Sequence, residues 1–407
     1  ASKTLDRYPE HDNKSFPLPE NELPLFAFPH DLGLKFESSS RYPLPHFFTF
    51  VFTDANGKHM YAACLHFYEK LSGDEVQEVF ESVFGEDKLI SMLPGTNLFC
   101  PKVICVVSSK PYYRAMRRYL RQLYSMSLSS LPVPLENFVA CLVSQVPLPI
   151  EGGRPFHVLL DGALISRTSR ALKAIKFDLP PSKAFPHMDL DFAAPLRCLS
   201  VELMLAVFAL LMREAKVAFM CTSGTLLTET METLKGLLFP LTWSSTFVSR
   251  LPKALSGLLQ APGGFMVGLH VEKGHERSQE EKEKEKRASS TGSSYSSPLN
   301  LGSPKRPKKE LPTEFANWVD GMTVGTYVVD LNENAIFQYR GGCVAEQLEH
   351  REIVALLEVF PTLPRKRLQG MLDKVAGDFS MGPSTSSLEQ FDSAFDMKPQ
   401  MTAQENK

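Results

Sequence analysis

The sequence predicts an α/β protein of two lobes, the first an antiparallel sheet with helices, the second a mainly parallel sheet sandwiched by helices. Three observations carry this. Aromatic and β-branched residues crowd into strand-length runs within residues 1–127, ahead of one amphipathic helix. Beyond residue 135 strand-like and helix-like segments alternate, which favours parallel pairing with helices on both faces. Residues 203–212 are apolar all round, and such a helix is stable only where both its sides are covered.

In chain order, residues 1–45 are rich in proline, with Phe16-Pro17-Leu18-Pro19 and Leu25-Phe26-Ala27-Phe28-Pro29 as apolar islands. Proline excludes helix through most of this stretch, so an extended lead-in that lays aromatic residues on a sheet is expected. His46-Phe47-Phe48-Thr49-Phe50-Val51-Phe52-Thr53, the turn Asp54-Ala55-Asn56-Gly57-Lys58 and residues 59–67 read as a hairpin. A third strand over 102–107 leads through Ser108-Ser109-Lys110-Pro111 into a helix over 112–126, with Tyr112, Met116, Tyr119, Leu120 and Leu123 facing inward. Residues 128–134 form a linker.

The second lobe, residues 135–377, opens with a helix over 135–143 and a short buried strand over 156–160. A helix over 200–214, a strand over 216–221, a helix over 225–238, a short helix over 253–259 and a strand over 265–269 follow. Residues 272–312 hold the charge run Glu280-Glu281-Lys282-Glu283-Lys284-Glu285-Lys286-Arg287 and a serine-rich tract. They have too little apolar surface to offset their ordering entropy, so a disordered insertion is expected there. Strands over 326–330 and 335–339 and helices over 345–359 and 364–376 complete the lobe, and residues 378–407 read as a flexible tail.

Composition narrows the function classes. With 407 residues, 43% of them apolar, the chain can build real cores, and a net charge of −2 commits it neither to nucleic acid nor to an acidic surface. The cysteines Cys64, Cys100, Cys105, Cys141, Cys198, Cys221 and Cys343 are scattered in apolar runs without a C-x-x-C pair, as free thiols of a reducing compartment are. The chain starts at Ala1 without an initiator Met or a signal pattern, as a piece of a longer cytoplasmic protein would.

A search for reactive spacing returns nothing. Gly152-Gly153, Gly263-Gly264 and Gly341-Gly342 are not phosphate-binding loops, and Thr222-Ser223-Gly224 lacks the nucleophile elbow, leaving Ser223 as a helix cap. Asp330-Leu331-Asn332-Glu333-Asn334 starts like a calcium loop but has Ala335 at the sixth position and Gly341 at the twelfth, so it reads as a hairpin turn. His66, His157 and His270 read as satisfied core or edge residues, and Glu214, at the end of the apolar helix, as a buried pairing residue. Catalytic, cofactor and metal residues are therefore expected to be absent.

Taken in order, several segments resemble one family. They are Phe16-Pro17-Leu18-Pro19, Phe26-Ala27-Phe28-Pro29, Phe47 to Asp54, Val103-Ile104-Cys105-Val106-Val107-Ser108, the block from Leu199 to His270, and Tyr327-Val328-Val329-Asp330-Leu331-Asn332. The ordered set over residues 8–375 is similar to the DENN family. One departure is Gly263-Gly264, where the family usually carries a second proline and this chain has a looser turn.

The resemblance implies a longin-like first lobe, a Rossmann-style second lobe, and a Rab-family small GTPase seated across both. It implies guanine-nucleotide exchange in membrane trafficking, with GDP, GTP and Mg²⁺ belonging to the partner. Exchange needs no acid, base or nucleophile, because a partner that prefers the open-switch GTPase speeds nucleotide loss by binding alone.

Topology nominates the loops at the carboxyl ends of parallel strands as the binding face: Asp161 after 156–160, and Thr222, Ser223 and Thr225 after 216–221. On the first lobe the hairpin edge and the basic helix are open to a partner. Arg114, Arg117, Arg118 and Arg121 lie on one side of that helix, with Arg114, Arg118 and Arg121 at i, i+4, i+7 spacing. They suit solvent, an anionic membrane surface, or an acidic patch on a partner. Lys305-Arg306-Pro307-Lys308-Lys309, near Ser297 and Ser303, is a second basic stretch, open to the linker, membrane and phosphorylation readings.

Two other functions stay open. A GTPase-activating relative would present a loop arginine, Arg41 or Arg154. A non-catalytic scaffold would use the same fold to hold a GTP-loaded Rab or a membrane at endomembranes.

Overall fold

The computed structural model describes residues 2–14, 16–29, 34–38, 43–53, 58–72, 76, 96–128, 134–159, 174–179, 189–190, 192–271, 318, 321–341 and 344–357. The expected disordered insertion, the helix over 364–376 and the tail lie outside them, as does most of the linker.

The lead-in is not wholly extended. A one-turn helix α1 (Leu23–Ala27), with Pro24 in its first turn, turns Phe26 onto the sheet, stacked on Phe50 with ring centroids 5.3 Å apart. Strand β1 (Lys35–Ser38) then pairs with the sheet, which four residues with few internal signals did not announce. The hairpin is as expected: β2 (His46–Thr53) and β3 (His59–Lys70) pair antiparallel from His46 opposite His66 to Thr53 opposite His59. Strand β4 (Thr96–Ser108) starts before the expected 102 and pairs with β3, completing an antiparallel sheet of order β1-β4-β3-β2.

Period-two alternation splits β2 between two cores. Phe47 and Val51 meet α2 (Tyr113–Ser127) through Tyr113, Met116, Tyr119, Leu120 and Leu123, while Phe48 and Phe50 pack with Phe26, Ala62 and Cys64.

Helix α3 (Leu135–Ala140) runs into a π-helical turn, Cys141–Gln145. Tyr8 Oη lies 2.7 Å from Ser144 Oγ, tying the lead-in to this turn. The strand expected at 156–160 is neither buried nor part of the main sheet. Strand β5 (Phe156–Val158), with His157 exposed, pairs only with β6 (Ile175–Phe177) in a separate two-stranded sheet.

Helix α4 (Ala194–Cys198) precedes the apolar α5 (Val201–Met212), capped by Ser200, whose side chain accepts from the Leu203 amide. Strand β7 (Lys216–Cys221) has the expected bounds. Helix α6 (Gly224–Leu237), strand β8 (Thr246–Val248), a 3₁₀ helix at Lys253–Gln260 and β9 (Phe265–His270) follow. Strands β10 (Tyr327–Asp330), β11 (Ala335–Gly341) and β12 (Val344–Gln347) precede α7 (His350–Leu357). The expected helix from 345 thus begins as an edge strand, because Val344–Gln347 finds β11 as an antiparallel partner.

The six-stranded sheet has the order β12-β11-β10-β7-β9-β8 and is mixed, with β10, β7, β9 and β8 parallel and β10, β11 and β12 antiparallel. One face presents Val217, Phe219, Cys221, Met266 and Val329 to α5 and α6. The other presents Ala218, Met220, Val267 and Val328 to Leu259 of the 3₁₀ helix, Trp318 and Met322. With α7 packed on its outer side, α5 is covered as its composition demands. Among the described residues no helix is long and apolar enough to cross a membrane.

The end of α5 corrects two expectations. Glu214 is exposed, with φ 51°, and its carboxylate accepts from Ser244 Oγ at 3.5 Å, so it has no buried pairing role. Its carbonyl lies where a Cβ on Gly264 would stand, 2.1 Å away, so the family departure at Gly264 is a close backbone approach that excludes any side chain.

Candidate functional site

The carboxyl ends of β7, β9 and β10 gather at the junction of the two sheets, and α6 lies inside that junction. Its sequence, with threonine at 225, 228, 230 and 233, reads as only partly apolar, yet Thr225, Thr228, Thr230, Glu232 and Thr233 are all buried. The reason is β2. As an edge strand it points alternate carbonyls away from β3, and buried carbonyls need donors. Thr225 Oγ1 donates to the Phe47 carbonyl at 2.9 Å and Thr228 Oγ1 to the Thr49 carbonyl at 2.8 Å. The Val51 amide donates to Ser249 Oγ at 3.0 Å. The hairpin edge, expected to be open to a partner, is therefore occupied by the second lobe.

Thr228→Val keeps the β-branched shape but leaves the Thr49 carbonyl without that donor. A loss of about 1–3 kcal/mol, read from the urea midpoint, is expected.

Beyond Ser249, Arg250 is 3% exposed. Its guanidinium lies 4.1 Å from the Phe48 ring centroid and so reaches from the second lobe onto the first. Its Nη2 is 3.3 Å from His270 Nδ1, and His270 Nε2 is 3.1 Å from the Thr222 carbonyl. A carbonyl only accepts, so Nε2 carries the proton and Nδ1 accepts from Arg250. The Thr222 amide and hydroxyl both donate to Asn332 Oδ1, at 3.2 and 3.0 Å, which joins the ends of β7 and β10. Asp330 Oδ1 holds that turn by accepting from the Asn332 and Glu333 amides, the expected hairpin reading. Burial is the main force raising the Asp330 carboxyl above its ordinary value, partly offset by these two bonds.

On the first lobe, His66 rests with its ring 4.4 Å from His46 and edge-on to Phe28 and Tyr68, at 5.9 and 4.8 Å. Burial, with the charges of Arg250 and Lys35 behind it, pushes His66 down to about 4.

The structure brings Thr222, Ser223 and Thr225 together but spends them inside the chain. Ser223 and Thr225 are each 2% exposed, Ser223 as the cap that accepts from the Leu226 amide. Asp161 and Arg41 lie outside the described residues, and Arg154 is exposed before β5. Arg114, Arg118 and Arg121 stand apart on the outer side of α2, whereas Arg117 turns inward, 5.1 Å from the Phe47 ring centroid. Arg250, His270 and Asn332 were not singled out for this junction, since no local motif links them. Among the described residues no group of three or more His, Cys, Asp or Glu side chains is placed to hold a metal ion.

The uDENN domain model matches residues 2–67 and the DENN (AEX-3) domain model residues 99–286. The second match starts inside β4, although β4 belongs to the first sheet. A curated relative, the DENN domain and WD repeat-containing protein SCD1 of Arabidopsis thaliana, is 26% identical over 273 residues. That stretch is 65% of this chain and 21% of the relative, so the match spans about a fifth of the relative's length.

Proposed function

The chain belongs to the DENN-domain family, whose members bind Rab GTPases, and on that premise we propose that it is a guanine-nucleotide exchange factor for a Rab-family small GTPase. The observation that carries the reading is the junction. Hydrogen bonds donated by Thr225 and Thr228 and accepted by Ser249, with Arg250 against Phe48, hold the two sheets at one spacing. A surface made from both lobes is then preorganised, and binding energy goes into selecting the open-switch GTPase rather than into ordering the binder.

Nucleotide and Mg²⁺ belong to the GTPase in this reading, and the work is done by differential affinity. A binder that prefers the empty form by a factor α weakens nucleotide binding by the same α, since linkage is reciprocal. Thr225 acts by holding the junction, Ser223 by capping α6, and Thr222 by fixing the loop after β7 against Asn332. The place of action is the cytoplasmic side of trafficking membranes.

The test is release of a fluorescent guanine nucleotide from a complete panel of Rabs of the source organism. Acceleration of at least one, with tightest binding to that Rab after EDTA stripping, supports exchange. Equal or tighter binding of the GTP-loaded form without acceleration assigns a scaffold instead. Faster phosphate release that Arg154→Ala abolishes assigns the GTPase-activating reading.

A further inference from the structure

The junction leaves the arginines of α2 unexplained. At about 100° per residue, Arg114, Arg118 and Arg121 fall within about 60° of one another over roughly 10 Å of helix. All are exposed, as is Lys110 in the turn before the helix. The helix contains no acidic residue, and among the described residues no ion pair engages these three arginines. Arg118 donates to the Ala174 carbonyl at 3.2 Å, which steadies the middle of the row. That carbonyl leads into β6, and the Val158–Ile175 pairing sets Leu159, 63% exposed, across from Ala174. Leu128, 54% exposed, stands at the far end of the helix.

We propose that this face of α2 is a docking surface for an anionic phospholipid bilayer. The opposite side of the helix is fully used: Met116, Tyr119, Leu120, Leu123 and Met126 lie in the core, so the arginines are not a by-product of an unfilled packing face. A protein partner of stable affinity is met by an apolar centre with aromatic anchors and a polar rim. The outer side of α2 has no such centre, since from Lys110 to Leu128 its large exposed residues are cations and one terminal leucine. A row of flexible cations flanked by single aliphatic side chains matches instead a smeared negative surface with an acyl boundary beneath it. The contact is peripheral and electrostatic, and so it is weakened by salt. It does not rest on the exchange reading, because it needs no GTPase.

The experiment is co-sedimentation of the full chain with phosphatidylcholine vesicles, with and without phosphatidylserine. Binding is expected only to the anionic vesicles and is expected to fall as salt rises. Arg114→Gln with Arg121→Gln should weaken it about thirtyfold, at the usual contribution of a basic residue near such a surface. Arg114→Lys with Arg121→Lys should restore most of it, since a diffuse field reads charge and not guanidinium shape. Arg118 is left in place because it also bonds the chain. Absence of anionic binding, or binding unchanged in the glutamine variant, overturns the proposal and in the second case moves the contact elsewhere, such as Lys305-Arg306-Pro307-Lys308-Lys309. A loss that lysine does not repair, in a variant with unchanged circular dichroism, also overturns it and assigns the face to a shaped acidic partner.

Discussion

Gly268→Ala is expected to destabilise the fold by about 3 kcal/mol or more, a large part of what a domain of ordinary stability possesses. Gly268 sits in β9 opposite Phe219 of β7, and a Cβ there would lie 2.0 Å from the Ser249 carbonyl oxygen and 2.9 Å from Met231 Sδ. The methionine can turn away, but the carbonyl is backbone and cannot. Residue 249 is held on both sides, since the Leu251 amide donates to the Gly268 carbonyl at 2.7 Å and Ser249 Oγ accepts from Val51 on the other sheet. Relief would thus push the chain after β8 outward and draw Ser249 and Arg250 from the first lobe. A urea titration reads the loss, and Gly263→Ala is the control: nothing lies within 4 Å of its Cβ position, so a change of under about 0.5 kcal/mol is expected. Equal midpoints for the two variants would refute the close approach at Gly268. If Gly268→Ala still folds, the proposed nucleotide exchange would fall further than stability alone accounts for, because the substitution strikes the junction.

What was legible beforehand follows from how local each signal is. The hairpin of β2 and β3, the strand Lys216–Cys221 and the helix Val201–Met212 carry their apolar pattern over six or more residues, and that pattern is local. Thr246–Val248 and Val344–Gln347 are three and four residues long and become strands because β9 and β11 offer free edges. Phe156–Val158 failed in the other direction. Its composition suits a buried strand, but a short antiparallel partner took it out of the main sheet. The junction was the least readable part. The hydroxyls of Thr225 and Thr228 have meaning only once β2 is known to be an edge, and Arg250 meets Phe48 and His270 through packing across some 200 and 20 residues of chain. Ser223 and Thr225, after the parallel strand Lys216–Cys221, are buried, and Asp161 lies outside the described residues.

Acid should loosen this protein progressively below about pH 6.5, with His66 contributing about 3 kcal/mol of the loss by about pH 4. His66 is pushed down to about 4 in the fold, first by burial and then by the charges of Arg250 and Lys35. An unfolded histidine titrates near 6.5. Between those values the unfolded chain binds a proton that the native chain does not, so unfolding becomes easier as pH falls, and the stabilisation present above about 6.5 is lost progressively on the way down. His46 adds to the same slope, pushed well below its ordinary value by burial first and then by His66, Arg250 and Lys35. Asp330 works the other way, since its raised carboxyl lets the native chain take up a proton early. Urea midpoints at about pH 7 and about pH 5 separate these contributions when wild type is compared with His66→Gln. The wild type should lose more between the two, because the glutamine cannot charge, and parallel losses would remove His66 as the cause. His66 titrates beside the same Arg250 that spans the junction, so the acid transition should first appear as looser contact between the two sheets. The proposed exchange activity would then decline at a higher pH than helical content does.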